Sequence, residues 1–94
     1  MNFMLLTKKA RVAKNRIIAS DVIDQNSTLI LSILQQLEFI IKYSEKKIDP
    51  RSQLKTGQTF TYSVLASREF CSPEELAIKN LLDEVSREMY SEDY

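Results

Sequence analysis

Residues 29–54 read LILSILQQLEFIIKYSEKKIDPRSQL, and this stretch decides the fold. Ile30, Ile33, Leu34, Leu37, Ile40 and Ile41 recur at the three-and-four spacing that builds one face of an α-helix. The pattern stops at Ile48-Asp49-Pro50. Asp49 offers a side-chain oxygen to cap a new helix, and Pro50 comes next at the first helical position, where its missing N–H costs nothing. The spacing therefore predicts two helices meeting at a sharp joint of very few residues, which favours an antiparallel pair.

Working outward, the chain has 94 residues, the size of one domain over residues 1–94. One glycine and two prolines suit a few long helices and argue against an all-β fold with its many turns. The first helix is predicted over about residues 5–20, with Thr7 as a candidate N-cap. Leu6, Ala10, Ala13 and Ile17 share one face. Its cations crowd the positive end of the helix dipole, so it should depend on packing and fray at its start. Residues 20–27 are rich in side chains that compete with the helical backbone, and read as a loop. Val22 and Ile23 are expected to fold back on the core, with Asn26 or Ser27 capping the second helix. That helix runs over about residues 27–47, roughly 30 Å at 1.5 Å per residue. It is apolar over more than half its girth and reads as the central element.

The third segment, about residues 50–67, carries two signals. Phe60, Tyr62 and Val64 alternate with Thr59, Thr61 and Ser63, as in a strand. Leu54, Thr61, Val64, Leu65 and Arg68 also fit a helical face. No other segment reads as β, and a lone strand has no partner, so the segment is taken as a helix of poor propensity held by its neighbours. The fourth helix, about residues 73–90, opens on Ser72-Pro73-Glu74-Glu75, a capping box with proline at the first position. Cys71 and Leu76 are placed for a hydrophobic staple, which gives Cys71 a structural reading rather than that of a reactive thiol. Ile78, Leu81, Leu82, Val85 and Met89 mark the buried face. Four amphipathic segments, each too weak alone, bury their stripes together as an all-α antiparallel four-helix bundle.

The absences narrow the chemistry. The chain has no histidine, so the commonest general base and metal ligand are both missing, and one cysteine makes a structural zinc site untenable. Gly57 alone cannot make a glycine-rich phosphate loop. No cofactor, metal or catalytic residue is expected. No apolar run reaches the ~18 to 20 residues that span a bilayer. Lys8-Lys9 come after the apolar start instead of preceding it, opposite to the order of a signal peptide, so the expected location is cytoplasmic.

Net charge is zero but uneven: residues 1–48 hold eight Lys/Arg and four Asp/Glu, residues 49–94 five and nine. One reading is two oppositely charged surfaces that attract each other or simply face water. The other is a basic patch of Lys8, Lys9, Arg11, Lys14 and Arg16 for an anionic partner, such as lipid headgroups or nucleic acid.

The order Leu34-Gln35-Gln36-Leu37, Lys46-Lys47-Ile48-Asp49-Pro50, Leu54, then Phe70 to Leu82 resembles the enterocin A immunity family. The shared pattern is a lysine-rich helix end entering Asp-Pro, a third helix with a late aromatic at Tyr62, then Phe70, the paired acids Glu74-Glu75 and the face Ile78/Leu81/Leu82. The likeness covers roughly residues 27–90; the first helix matches only in character. This chain departs from the family pattern in a third segment richer in Thr and Ser, which contains Gly57, and in a short C-terminal tail.

The resemblance implies a non-catalytic cytoplasmic protein that protects against a pediocin-like bacteriocin. Its implied partner is the mannose phosphotransferase permease with bacteriocin docked on it, met at the inner face of the membrane, with no small-molecule substrate. Tyr62, Arg68, Glu88, Tyr90 and Tyr94, near the end formed by the third and fourth helices, are the contact candidates. The basic first helix is a candidate for peripheral contact with the anionic inner leaflet. Two other classes compete. One is a small regulatory or nucleic-acid-binding protein using Lys8 to Arg16, although no helix-turn-helix spacing is visible and net charge is zero, so no nucleic acid is expected. The other is a helical enzyme of the chorismate mutase type, whose arginine pattern is missing here.

Overall fold

A computed structural model describes residues 2–55 and 57–90. Four α-helices form among them: α1 Phe3–Ala19, α2 Thr28–Glu45, α3 Tyr62–Glu69 and α4 Pro73–Met89. A short 3-10 turn, Pro50–Gln53, lies between α2 and α3. No strand occurs among the described residues.

α1 packs along both α2 and α4, and α3 also packs on both. Cross-helix bonds give the directions. Thr7 meets Ser44 while Lys14 pairs with Glu38, so α1 runs antiparallel to α2. The backbone N–H of Asn2 donates to Glu88 while Arg16 pairs with Glu74, so α1 also runs antiparallel to α4. The predicted face of α1 is the observed one: Leu6, Ala10, Ala13 and Ile17 are all buried. The two alanines matter because a small side chain lets helix backbones approach closely. From α2 come Ile30, Ile33, Leu37, Ile40 and Ile41, and from α4 Ile78, Leu82, Val85 and Met89. Together with Tyr62, Ala66 and Phe70 they form one continuous core. Leu81 packs against it, half-buried.

The start of α1 corrects the sequence reading. Asn2, not Thr7, is the N-cap, and its side chain accepts from the N–H of Leu5 at 3.0 Å. α1 has no acidic residue in its first turn. Glu88 of α4 supplies one through space, its carboxylate accepting from Asn2 N–H at 3.0 Å. That places a negative charge at the positive end of the α1 dipole. Thr7 instead hydrogen-bonds Ser44 at 2.7 Å and donates to the carbonyl of Phe3 at 2.8 Å. Ser44 is the one buried polar side chain among the described residues, and this hydroxyl pair satisfies it. In the 20–27 loop Ile23 turns inward as expected, but Val22 stays exposed. Gln25 donates to the carbonyl of Ile17 at 2.7 Å, closing the end of α1.

The third segment carries the main correction. The expected helix over 50–67 is a 3-10 turn leading into irregular chain, and only Tyr62–Glu69 is helical. α2 and α3 therefore do not meet at a joint of a few residues. α2 ends in a Schellman arrangement: Ile48 N–H donates to Tyr43 C=O at 2.9 Å and Lys47 N–H to Ser44 C=O at 3.0 Å. Lys47 occupies the left-handed position, φ 59°, where glycine is usual. Asp49 does act as a cap, accepting from Arg51 N–H at 2.9 Å, but it caps a single 3-10 turn. Beyond it, Lys55-Thr-Gly-Gln-Thr is rich in weak helix formers, and Gly57 adopts φ 85°. Val64, expected on the buried helical face, is exposed; Tyr62 and Ala66 take that role.

α3 has no cap of its own, since the Thr61 side chain makes no capping bond. Gln36 of α2 supplies one. Its amide oxygen accepts from the N–H groups of Thr61 at 2.8 Å and Tyr62 at 2.9 Å, and its NH2 donates to Thr61 Oγ1 at 3.0 Å. At the other end of α3, Phe70 is buried and leads into the Ser72 capping box. Ser72 Oγ accepts from Glu75 N–H at 3.3 Å, and the Glu75 carboxylate accepts from Ser72 N–H at 3.1 Å. The Cys71–Leu76 staple does not form. Both residues are exposed, while the neighbouring Phe70 is buried.

Gln36→Leu should lower stability by about 1–2 kcal/mol, since two helix-start N–H groups lose their acceptor. Hydrogen exchange should speed up at the Thr61 and Tyr62 amides before the rest of the chain. Unchanged exchange there would show that Gln36 does not hold α3.

Candidate functional site

The contact candidates fall into three environments. Tyr62 is 1% exposed and belongs to the core, which corrects its reading as a surface contact. Its hydroxyl pairs with Ser86 Oγ at 2.8 Å, beside a bond from Ser63 Oγ to Asp83 at 3.0 Å, so α3 is stitched to α4 at two successive residues. Burial pushes the Tyr62 phenol up to about 12. The Ser86 bond opposes that shift, and the nearby Tyr90 and Asp83 add to it. Arg68 is exposed in the last turn of α3. That end leads through Phe70 to the start of α4, whereas Glu88 and Tyr90 lie at the end of α4. The structure therefore does not gather Arg68 with the other two. Tyr94 lies outside the described residues.

Glu88 and Tyr90 do occupy one place. The Glu88 side chain is mostly covered, held by Asn2 N–H and by Lys9 at 3.8 Å. Tyr90 is half-exposed, and the Arg51 guanidinium lies over its ring at 4.9 Å from the centroid. Arg51 is itself gripped by Asp49, with Nε at 3.1 Å and Nη2 at 2.9 Å from the carboxylate oxygens. Burial pushes the Asp49 carboxyl up, but the Arg51 side chain, backbone N–H and charge outweigh it and hold the group below its ordinary value. Asp49, Arg51 and Tyr90 thus join the α2–α3 connection to the end of α4. Pro50, at the first position of the turn, is buried. Nothing in the local sequence marks this contact, because Arg51 and Tyr90 are 39 positions apart.

The basic first helix is largely neutralised within the molecule. Lys9 pairs with Glu84 at 3.3 Å and Arg11 with Glu45 at 2.8 Å. Lys14 pairs with Glu38, and Arg16 with Glu74 at 3.3 Å. Lys8 alone of the five has no ion pair among the described residues. The charge asymmetry is therefore an attraction between helices, and a patch of five available cations is not present. Each such pair contributes only about 0–1 kcal/mol, so the set orients α1 more than it stabilises it.

Shallow surface grooves replace any enclosed site among the described residues. One lies under the 54–61 segment, with Phe39 and Phe60 in edge contact at 5.9 Å between ring centroids. Another lies between the start of α1 and the end of α2, around Phe3, Met4, Lys8, Val12 and Lys47. No cluster of three or more His, Cys, Asp or Glu side chains suited to a metal occurs among the described residues. No described helix is long and apolar enough to cross a membrane. No protein-family model matches the chain, and no curated protein and no solved structure matches it.

The raised Tyr62 pKa has a defined consequence. The unfolded phenol ionises near 10, so below that pH its contribution is complete, and stability falls as pH rises from about 10 towards 12. The slope approaches about 1.4 kcal/mol per pH unit for this one group. Tyr62→Phe should lower stability at pH 8 through loss of the Ser86 bond, yet fall less steeply than wild type from pH 10 to 11.5 in urea unfolding. Parallel slopes would show that the phenol is not buried.

Proposed function

We propose that this chain is a bacteriocin immunity protein. It protects the cell without catalysis, by binding at the cytoplasmic side of a mannose phosphotransferase permease that carries a pediocin-like bacteriocin. The observation that carries the reading is the order and separation of the Ile48-Asp49-Pro50 joint and the capped start at Ser72-Pro73 in a chain of this size. In this fold the joint is locked through Arg51 onto Tyr90. A rigid surface of mixed charge and aromatic character at one end of a helical bundle suits recognition by a few side chains. Tyr90 and Arg51 are the contact residues favoured by this geometry, with Glu88 positioning the adjacent start of α1. Arg68 would serve a second contact at the opposite end of α4. The all-α bundle agrees with the fold that the resemblance implies. The nucleic-acid reading is weakened by the internal pairing of Lys9, Arg11, Lys14 and Arg16.

Expressed in a strain sensitive to pediocin-like peptides, the protein should raise resistance to one or a few of them and leave sensitivity to unrelated pore formers unchanged. Tyr90→Ala should cut that protection at least several-fold while circular dichroism stays native. Absence of protection across a broad panel of pediocin-like peptides would refute the proposal.

A further inference from the structure

The water-facing side of α1 has a composition unlike the rest of the surface. Leu6, Ala10, Ala13 and Ile17 face the core, so Met4, Lys8, Val12 and Asn15 lie on the opposite side. Met4 is 83% exposed, Val12 45% and Ile18 52%, with Leu5 at 37% on the flank. α1 contributes four of the nine large apolar side chains exposed among the described residues, and Val22, just beyond it, is a fifth. Scattered apolar side chains on a surface are ordinary, but a row on one helix is a patch.

Around Met4 and Val12 the charges that are not already paired are of one sign, whereas the exposed Asp21, just beyond Ile18, is an acid without an ion pair among the described residues. α1 contains no acidic residue. Lys8 crowns the row, lining both the groove towards α2 and the groove towards α4. Lys47, exposed at the helix ending, lines the first groove together with Met4. Neither lysine has an ion pair among the described residues. The acids on the same rims, Glu45 and Glu84, are engaged by Arg11 and by Lys9 and Arg87. A partner meeting this side therefore finds apolar side chains and uncompensated positive charge.

We infer that the outer side of α1, with Met4 and Val12 as apolar contacts and Lys8 and Lys47 as headgroup contacts, docks peripherally on an anionic lipid surface. The charge complementarity selects lipid: a bilayer offers apolar depth and phosphate together over the length of one helix. The contact is superficial, because α1 keeps its other side in the bundle core and cannot leave it. Attraction scales with the basic residues near the surface, about five-fold in partitioning for each. This inference does not rest on the immunity reading, since it needs neither bacteriocin nor permease.

The full chain should co-sediment with vesicles of 30% phosphatidylglycerol in phosphatidylcholine. Pure phosphatidylcholine vesicles should leave it in the supernatant, and 0.5 M salt should release most of it. Lys8→Gln with Lys47→Gln should weaken partitioning about 25-fold. Met4→Ser with Val12→Ser should weaken it without changing the salt dependence. Val64→Ser, on the exposed side of α3, should bind like wild type, and circular dichroism should show all variants folded. No sedimentation with the anionic vesicles, or equal binding by the α1 variants, overturns the inference. So does a dimer in analytical ultracentrifugation that Met4→Ser/Val12→Ser dissolves, because the row would then belong to a second copy of the chain.

Discussion

The packing of α1 between α2 and α4 is the constraint on which the remaining structure depends. Among the described residues, α2 and α4 make no close backbone approach to each other; α1 and α3 bridge them. α3 is only two turns long, so the continuous bridge is α1. Its inward side is Leu6, Ala10, Ala13 and Ile17, and the two alanines leave room for the isoleucines and leucines of both neighbours. Close packing gives such a site little tolerance for added volume. The polar ties obey the same geometry. Glu88 completes the start of α1, Thr7 satisfies Ser44, and ion pairs run from α1 to both flanking helices.

Most of this architecture is legible in the residues, and the failures share a cause. α1, α2 and α4 announce themselves because periodic apolar side chains and local caps, such as Ser72 with Glu75, act within one turn of the chain. Asp49-Pro50 is also a genuine cap-and-start signal, but such a signal states where a turn begins and not how long it lasts. The length is decided by Lys55 to Thr61, whose weak helix formers and Gly57 cannot propagate a helix. α3 then starts at Tyr62 because Gln36, 26 positions earlier, supplies the missing cap. No local pattern encodes a side chain that acts at that separation.

The functional residues divide along the same line. Tyr62 looks like a contact residue as a late aromatic of the third segment, yet α3 begins there and the ring lies in the core, its hydroxyl against Ser86. Arg68 and Tyr90 read as neighbours on consecutive helices, but antiparallel packing puts them at opposite ends of α4. The basic run from Lys8 to Arg16 suggests an anion-binding face, while the acids that neutralise most of it come from α2 and α4. What survives is smaller and better defined. One feature is the Asp49–Arg51–Tyr90 lock at one end of the bundle; the other is the apolar row around Lys8 on the outside of α1.

The central claim, that α1 is the bridge holding α2 and α4 in one cooperative unit, is tested most directly by hydrogen exchange on Ala13→Leu. Added volume at this buried site should lower stability by about 1–3 kcal/mol. The loss of protection should be shared by α1, α2 and α4 together. Preserved protection in α2 and α4 while α1 alone exchanges freely would contradict the account, because those helices would then hold together without it.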